Sequence, residues 1–371
     1  MRLAVAELVL AVHSSLFAQP KPIELKKPLA VDPEPFTQII AMRELSDGRV
    51  IVVDFQDKTV HLLDRKLAAI KQIGREGKGP GEYSMPLGLV PMPGDLTYLV
   101  DVMNQRLLPI KSDGSTDAPI PFSTFAKGLM MMVSVVADSR GRMFFQGVAA
   151  DIAAVNADSA PILRADPGAK GVDTVGYFKP QKLNMSISGG KVSMGAMRMF
   201  APEETWTATM DGRLARVIPE PYHLVIYDEK SKPVAGPAVK YEPIKVTDEE
   251  KAEGKKAFEK GIAAGRAAAA SAAGRRAAAA FTAAEPEYAP TKPPFPGRAA
   301  AVAGPNGEIW VERSRPFSDK AGLYDRFDRA GKLIGQVRLN ADSRVVGFGK
   351  KAVYVARKDS EDLVYLERYE W

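Results

Sequence analysis

Residues 73–83 read IGREGKGPGEY, and residues 85–89 continue as MPLGL. Four glycines and a proline within eleven residues break both a helix and an ordinary strand, so this stretch is predicted to be a loop. On each side of it lies a segment with the pattern of a small antiparallel sheet. A loop of this kind is typical of the step from the outer strand of one sheet to the inner strand of the next.

The two flanking segments follow one pattern, in which a β-rich run ends in an aspartate, four residues turn the chain and a second apolar run follows. Residues 47–64 carry the pattern with Asp54 at the strand end, and residues 94–114 carry it with Asp101. The pattern predicts a strand–turn–strand unit. The aspartate is expected to accept hydrogen bonds from backbone N–H groups of the turn. Noisier copies of the unit open at four further glycines, namely Gly141, Gly212, Gly307 and Gly349.

The spacing of these units predicts an all-β fold, a six-bladed β-propeller of four-stranded antiparallel blades. We expect it to form a single domain over residues 36–371. Four-stranded blades repeat every ~40 to 50 residues, and the first three units and the last two keep that distance. The two intervals between Gly141 and Gly307 are too long for one blade each. We therefore expect an insertion in each, at residues 182–199 and at residues 247–296.

The second insertion is predicted to begin with an α-helix. Thr247 and Glu250 have the spacing of a capping box, in which each side chain bonds the backbone N–H of the other residue. Residues 251–284 are rich in Ala, Lys, Glu and Arg, which favour helix. The helix has few large apolar anchors, and three roles stay open. It is a lid or arm over one face of the propeller, a helix that binds a partner, or a solvated insertion without a function.

The N-terminus has the pattern of an export signal. A short basic start at Arg2 is followed by a mostly apolar run, and Ala18 before Gln19 is a plausible cleavage point. We therefore predict a signal peptide over residues 1–19 and a periplasmic or extracellular location. The alternative is a buried or interfacial N-terminal helix. No later segment approaches the ~18 apolar residues that a membrane-spanning helix needs.

Composition excludes several classes of function. The 51 basic and 45 acidic residues give a formal net charge of +6 and are interleaved, so no basic stripe predicts nucleic-acid binding. The chain has no cysteine, which excludes disulfides, thiolate metal sites and cysteine nucleophiles. It has only three histidines, His13, His61 and His223, and so few imidazoles argue against a multi-histidine zinc site.

The first two units and their glycine-rich link resemble NHL-type repeats. That pattern is a strand ending in Asp (Asp101), a turn containing Asn (Asn104), an Arg with apolar residues (Arg106), and a Gly-rich link followed by Pro (Pro86). The GKGPGEY part of the link matches a Gly-x-Gly-Pro-Gly-Glu-aromatic motif of exported six-bladed β-propeller proteins of environmental bacteria. The propeller region resembles these proteins, within the NHL/TolB-like propeller superfamily. The resemblance implies a six-bladed propeller, a fold that hosts many activities.

The resemblance also implies a possible metal site, because some exported six-bladed propellers are hydrolases with a central calcium held by Glu, Asn and Asp. Calcium takes about six or more oxygen ligands, and the candidates are Asp54, Glu82, Asp101 and Asn104. Turn and capping roles account for all four, so no metal ligand is predicted. No Gly-x-Ser-x-Gly motif is present, and the glycines of the link do not open a helix as a dinucleotide fingerprint would. No catalytic residue and no cofactor are therefore predicted.

These observations favour a non-enzymatic binding or protein-interaction scaffold, which we expect to be a monomer. Its ligand would be an unidentified protein, peptide or polymer docked on the face shaped by the glycine-rich link and the second insertion. The alternative is a metal-dependent hydrolase or lactonase-like enzyme, which requires carboxylates that converge on the central channel. RNA binding, as in some NHL proteins, is disfavoured by the export signal and the mixed charge. The predicted binding residues are Arg75, Glu82, Asp101, Asn104 and Arg106.

Overall fold

In the computed structural model, β-strands are the main secondary structure of the described part, which also contains one α-helix. The described residues are 21–25, 27–149, 156–168, 170–182, 184–188, 191–228, 232–273 and 281–371. The predicted signal peptide therefore lies outside them. No helix in this part of the chain is long and apolar enough to cross a membrane.

The first third of the chain contains two antiparallel sheets of four consecutive strands each, joined by the glycine-rich link. Two short strands come first, β1 (Ile23–Glu24) and β2 (Ala30–Val31). The first sheet contains β3 (Ile39–Glu44), β4 (Val50–Asp54), β5 (Thr59–Leu63) and β6 (Ala69–Gln72). The link contains a short parallel pair, β7 (Arg75–Glu76) and β8 (Glu82–Tyr83). The second sheet contains β9 (Pro86–Pro91), β10 (Thr97–Asp101), β11 (Arg106–Ile110) and β12 (Ile120–Pro121).

The middle of the chain contains the third and fourth sheets and a first group of inserted strands between them. The third sheet contains β13 (Leu129–Ala137), β14 (Met143–Ala149), β15 (Ala160–Ala165) and β16 (Asp173–Phe178). The inserted strands are β17 (Met185–Ser188), β18 (Lys191–Met194) and β19 (Arg198–Met199). The fourth sheet contains β20 (Thr205–Ala208), β21 (Leu214–Pro219), β22 (Tyr222–Tyr227) and β23 (Pro233–Ala235).

The last third contains a second group of inserted elements and the fifth and sixth sheets. The inserted elements are β24 (Ile244–Lys245), α1 (Asp248–Ala273), β25 (Phe281–Ala283), β26 (Glu287–Tyr288) and β27 (Thr291–Lys292). The fifth sheet contains β28 (Ala301–Ala303), β29 (Ile309–Glu312), β30 (Ala321–Phe327) and β31 (Leu333–Ala341). The sixth contains β32 (Ser343–Gly349), β33 (Ala352–Lys358) and β34 (Val364–Glu370).

The sheets follow one another around a central axis. The first strands β3, β9, β13, β20 and β28 contact one another in that order, and β32 of the sixth sheet contacts both β3 and the fifth sheet. Apolar clusters fill the space between every pair of adjacent sheets, including the sixth and the first. This arrangement is a β-propeller and confirms the predicted all-β fold class.

The N-terminal strands complete the last two sheets. Strand β2 pairs antiparallel with β34 and gives the sixth sheet its fourth strand. Strand β1 adds a parallel fifth strand beside β31. Both strands precede residue 36, where the predicted propeller domain begins. The sixth sheet therefore joins the N-terminal strand β2 to β34, the last strand of the described chain.

The glycine-rich link runs from the outer strand β6 to β9 of the next sheet, as predicted. Gly74 has φ +64°, and a Cβ atom there would lie 2.3 Å from the carbonyl oxygen of Gly81, so a side chain cannot be accommodated. Tyr83 is fully buried between the first two sheets. Its hydroxyl donates to the Ile73 carbonyl and accepts from the Val60 N–H, each at 3.0 Å. Tyr83 therefore ties the link to the first sheet and fills the space between the two neighbouring sheets.

The two insertions pair with each other, which the sequence did not predict. Strand β18 lies parallel to β25, and β19 lies parallel to β26. The capping box is confirmed, since Thr247 N–H donates to Glu250 Oε2 at 3.0 Å and Glu250 N–H donates to Thr247 Oγ1 at 3.2 Å. The helix-favouring composition extends to Ala284, but Phe281–Ala283 is a strand because it pairs with β18.

The burial of Asp32, next to β2, predicts that its contribution to the stability of the protein falls as pH rises from mildly acidic values. This residue is 2% exposed, and burial raises its pKa to about 6. The unfolded chain loses the proton near pH 4, so this group lowers the free energy of unfolding as pH rises from about 4 to about 6. We expect Asp32→Asn to gain stability relative to wild type over that range, measured by urea unfolding at pH 4, 5, 6 and 7. Glu370→Gln, an exposed change in the same sheet, is the control, and a D32N difference that is constant with pH would contradict the assignment.

Candidate ligand site at the channel mouth

The structure brings three of the predicted binding residues together under the glycine-rich link. Asp101 is fully buried at the end of β10. Its Oδ2 accepts from Asn104 Nδ2 at 2.6 Å and from Arg106 Nε at 3.2 Å. Its Oδ1 accepts from the backbone N–H groups of Ser84 and Met85 at 3.1 and 3.2 Å. The carboxylate therefore joins the strand end, the following turn and the start of β9.

Arg106 and Asn104 carry this network onto the link itself. The two terminal nitrogens of Arg106 donate to the carbonyls of Lys78, Gly79 and Glu82 at 3.1, 3.3 and 2.9 Å. Asn104 Nδ2 donates to the Gly77 carbonyl at 2.9 Å. These polar groups hold the link in shape. Their role in binding a ligand stays a prediction.

Arg75 and Glu82, the other two predicted binding residues, form an ion pair on the outside of the link. Arg75 Nε donates to Glu82 Oε1 at 2.8 Å, and the Arg75 side chain is 79% exposed. Glu82 Oε2 accepts from the Gly79 N–H at 2.8 Å. This backbone bond and then the Arg75 guanidinium lower the pKa of Glu82. Arg75 is thus the most accessible member of this pair.

Asp54 lies in the first sheet and repeats the role of Asp101. It accepts from the backbone N–H groups of Thr37 and Gln38, just before β3, at 2.6 and 3.1 Å. It also accepts from Gln56 N–H at 3.2 Å in the turn, which confirms the predicted capping role. Within the described residues, no group of three His, Asp or Glu side chains is placed to hold a metal ion.

A cavity of about 880 Å³ lies at the end of the propeller where the first strands of the sheets begin. Its floor includes the starts of β3 and β32, and one wall is the β29–β30 loop. The glycine-rich link lies at the same end, because it joins the end of β6 to the start of β9. None of the five predicted binding residues lines this cavity.

Glu312 is a partly buried carboxyl on the cavity wall. It ends β29, its side chain is 26% exposed, and its Oε1 lies 3.7 Å from Nη2 of Arg315. Burial raises the pKa of Glu312, and the positive charges of Arg315 and Arg344 oppose that rise. The hydroxyl of Tyr324 accepts from the Val345 N–H at 3.0 Å beside this group, and burial raises the pKa of Tyr324.

Two arginines next to Glu312 have donors that are not fully used. Arg344, on β32, donates one hydrogen bond to the Ile39 carbonyl. Arg344 is exposed to solvent. The surrounding protein nevertheless desolvates the guanidinium and lowers its pKa, because the side chain lines a concave surface. Arg315 donates from Nη1 to the Asp319 carbonyl at 3.1 Å. Its buried Nε has no hydrogen-bond partner in the described part of the chain.

Helix α1 forms a roof over the cavity. Glu250 and Lys260 of the helix line it. Glu250 is buried and paired with Lys292, and Lys292 Nζ donates to the Arg315 carbonyl at 2.6 Å. The first turn of the helix is therefore tied to the β29–β30 loop. Further along, the charges of α1 interact with Lys358 and Asp362 in the β33–β34 turn of the sixth sheet.

Sequence reasoning missed Glu312, Arg315 and Arg344. One signal was present for Glu312, which ends its strand at the position that Asp54 and Asp101 occupy in the first two units. The longer side chain makes no bond to the start of its own sheet among the described residues and lies beside Arg315 instead. The sequence around Arg344 gave no signal of its role, because Arg344 comes close to Glu312 and Arg315 only when the fifth and sixth sheets pack together.

No protein-family model matches the chain, and no curated protein matches it. Among solved structures it is similar to a member of the DUF4221 family from Bacteroides vulgatus, at 11% identity and a TM-score of 0.51, covering 93% of this chain and 97% of that one. It is also similar to virginiamycin B lyase from Staphylococcus aureus (8% identity, 93% and 98% covered, TM-score 0.45). A third likeness is to regucalcin, a calcium-binding protein from Agrobacterium tumefaciens (9% identity, 92% and 94% covered, TM-score 0.44). The DUF4221 likeness supports the β-propeller fold alone.

The network around the link predicts unequal effects of two substitutions. Asp101→Ala leaves the buried donors of Asn104 and Arg106 and two backbone N–H groups without their acceptor, so we expect a loss of about 3 kcal/mol in unfolding free energy. Arg75→Ala removes an ion pair that water screens, so its loss in unfolding free energy should be much smaller than that of Asp101→Ala. Urea unfolding at neutral pH measures both. Equal losses for the two variants would refute the structural role of Asp101.

Proposed function

We propose that this protein is an exported six-bladed β-propeller of one domain that binds a ligand in the roofed cavity at the mouth of its channel. The blade count is supported by the six sheets and by the apolar clusters between each adjacent pair. Export is supported by the signal-like pattern of residues 1–19. The protein acts as a monomer in this proposal.

The cavity beneath α1 is the observation that carries the binding function. Its volume of about 880 Å³ falls within the ~300 to 1,000 Å³ typical of ligand sites. The cavity is lined by residues of several sheets and by residues of an insertion that lies outside the six sheets. A long insertion that covers a cavity on a rigid scaffold is a common way to build a binding site. Of the three roles open for the helix, a lid or arm is the one that this placement supports.

The metal-dependent hydrolase has less support. It required oxygen ligands that converge on the channel, and the described residues hold no group of three His, Asp or Glu side chains suited to a metal ion. The exposed Arg75 on the link, at the same end of the propeller, offers a second contact point for a ligand that extends beyond the cavity. Binding without catalysis is therefore the function that the geometry supports best.

Removing the roof tests this function. Strands β24 and β27 are antiparallel neighbours, so replacing residues 247–289 with a short Gly-Asn turn closes them as a hairpin. We expect circular dichroism to show that this roofless variant keeps the strands of the six sheets, because those sheets include neither α1 nor the deleted strands β25 and β26. We expect it to lose the small molecule that native mass spectrometry detects on the wild type after incubation with a periplasmic extract.

The control is Gln72→Trp, a bulky change at an exposed position on the outer strand β6, which should keep the bound mass. If the folded roofless variant binds the same mass as the wild type, the ligand lies elsewhere and the proposed site is wrong. If the wild type itself binds nothing from the extract, the proposed function fails.

A further inference from the structure

We infer that the roofed cavity takes an organic oxyanion, a ligand whose carboxylate, phosphate or sulfate group is held by the guanidinium groups of Arg315 and Arg344. This inference rests on the proposed function and adds the chemical class of the ligand. It concerns the part of the cavity where the β29–β30 loop meets the start of β32.

The unused donors of the two arginines carry the inference. A guanidinium has five N–H donors, and its planar fork matches the oxygens of carboxylate and phosphate. Arg344 is exposed to solvent and donates to one backbone carbonyl. Arg315 donates from Nη1 to the Asp319 carbonyl at 3.1 Å, and its Nη2 lies 3.7 Å from Glu312 Oε1, too far for a hydrogen bond. An oxyanion between the two side chains would accept from these terminal nitrogens.

The balance of charge on the cavity wall points the same way. Three of the acidic lining residues are paired with basic side chains, namely Glu203 with Arg298, Glu250 with Lys292 and Asp319 with Arg338. Lys260 on the roof and Lys320 on the β29–β30 loop add positive charge to the cavity, and Asp342 adds one negative charge. Lys320 is held over the Phe317 ring at 3.8 Å. Positive charge in a concave site attracts anionic ligands.

Glu312 makes the binding depend on pH. The groups that face it are Arg315 on the β29–β30 loop, Arg344 on β32 and Tyr324 on β30. An ionised Glu312 repels an oxyanion and competes with it for the arginines. A protonated Glu312 does neither and can donate a hydrogen bond to the ligand. Because burial already raises the pKa of this carboxyl, the anion should bind together with a proton.

The first experiment compares ligand charge at constant ionic strength. Isothermal titration calorimetry on the full chain uses galacturonate, glucose 6-phosphate and inorganic sulfate as the three oxyanion probes, with neutral galactose and cationic galactosamine as counterparts. We expect at least one oxyanion to bind and the two counterparts not to bind. The three oxyanions distinguish a carboxylate ligand from a phosphate or a sulfate.

Substitutions locate the bound anion. Arg344→Gln and Arg315→Gln should each weaken binding of the preferred oxyanion by about tenfold or more, since each removes a charged hydrogen-bond donor. Arg49→Gln is the matched control, because Arg49 lies in the β3–β4 turn at the opposite end of the propeller. Equal affinities for R344Q, R315Q and R49Q would overturn the inference.

A third measurement tests whether a proton is taken up when the anion binds. Affinity of the wild type for the oxyanion should rise as pH falls from 8 to 5, and calorimetry in two buffers of different ionisation enthalpy should show proton uptake on binding. Glu312→Gln should abolish both effects and bind at high pH as tightly as the wild type binds at low pH. Weaker binding by E312Q at every pH would show that Glu312 accepts hydrogen bonds from the ligand and would contradict the inference.

The two proposals fail separately. If no oxyanion probe binds, or if galactose or galactosamine binds more tightly, the oxyanion inference is wrong. If the mass retained by the wild type in the roof experiment then belongs to a neutral or cationic compound, the binding function stands without it. If the roofless variant retains its ligand, both proposals fall.

Discussion

Both faces of the sheets are apolar, and only a neighbouring sheet can cover them. Strand β4 shows this clearly, because its side chains alternate between two interfaces. Val50 and Val52 belong to the apolar cluster shared with the sixth sheet, whereas Ile51 and Val53 belong to the cluster shared with the second. An open row of such sheets would leave an apolar face in water at each end, at a cost of ~25 cal/mol per Å². Closing the row into a ring removes both faces, and it brings together the starts of β3 and β32, which both line the cavity.

The sequence predicted the parts of the fold that are encoded locally. The second strand of each unit is a mostly apolar run that follows a turn glycine, and the glycine-rich link has the composition of a loop. The first strands were harder to predict, since Thr205–Ala208 and Ala301–Ala303 are short and carry no clear alternation. The two-residue strand β2 carries no signal at all. These segments become strands because the neighbouring sheets offer unpaired edges and apolar faces to them.

The difference between local and long-range contacts also explains which parts of the site could be predicted from the sequence. Asp101, Asn104 and Arg106 lie within six residues of one another, so their joint role near the link was visible in the sequence, although the structure uses them to hold the link. Glu312 and Arg344 come from different sheets, and only the closed ring places them together. The acidic residue at the end of the second strand of a unit is the useful clue to the site. Asp54 and Asp101 are short enough to cap the start of their own sheets, whereas a glutamate at that position makes no such bond and lies beside Arg315 instead.

The pairing of β2 with β34 sets an order of events for a chain made from its N-terminus. Strand β2 is synthesised before any of the propeller sheets, but its partner is among the last segments to appear. Until then the sixth sheet lacks its outer strand, and the face of the first sheet that carries Val50 and Val52 has no cover. A chain in which β34 has not yet formed therefore exposes this apolar surface, and its vulnerability to aggregation ends when β2 and β34 pair.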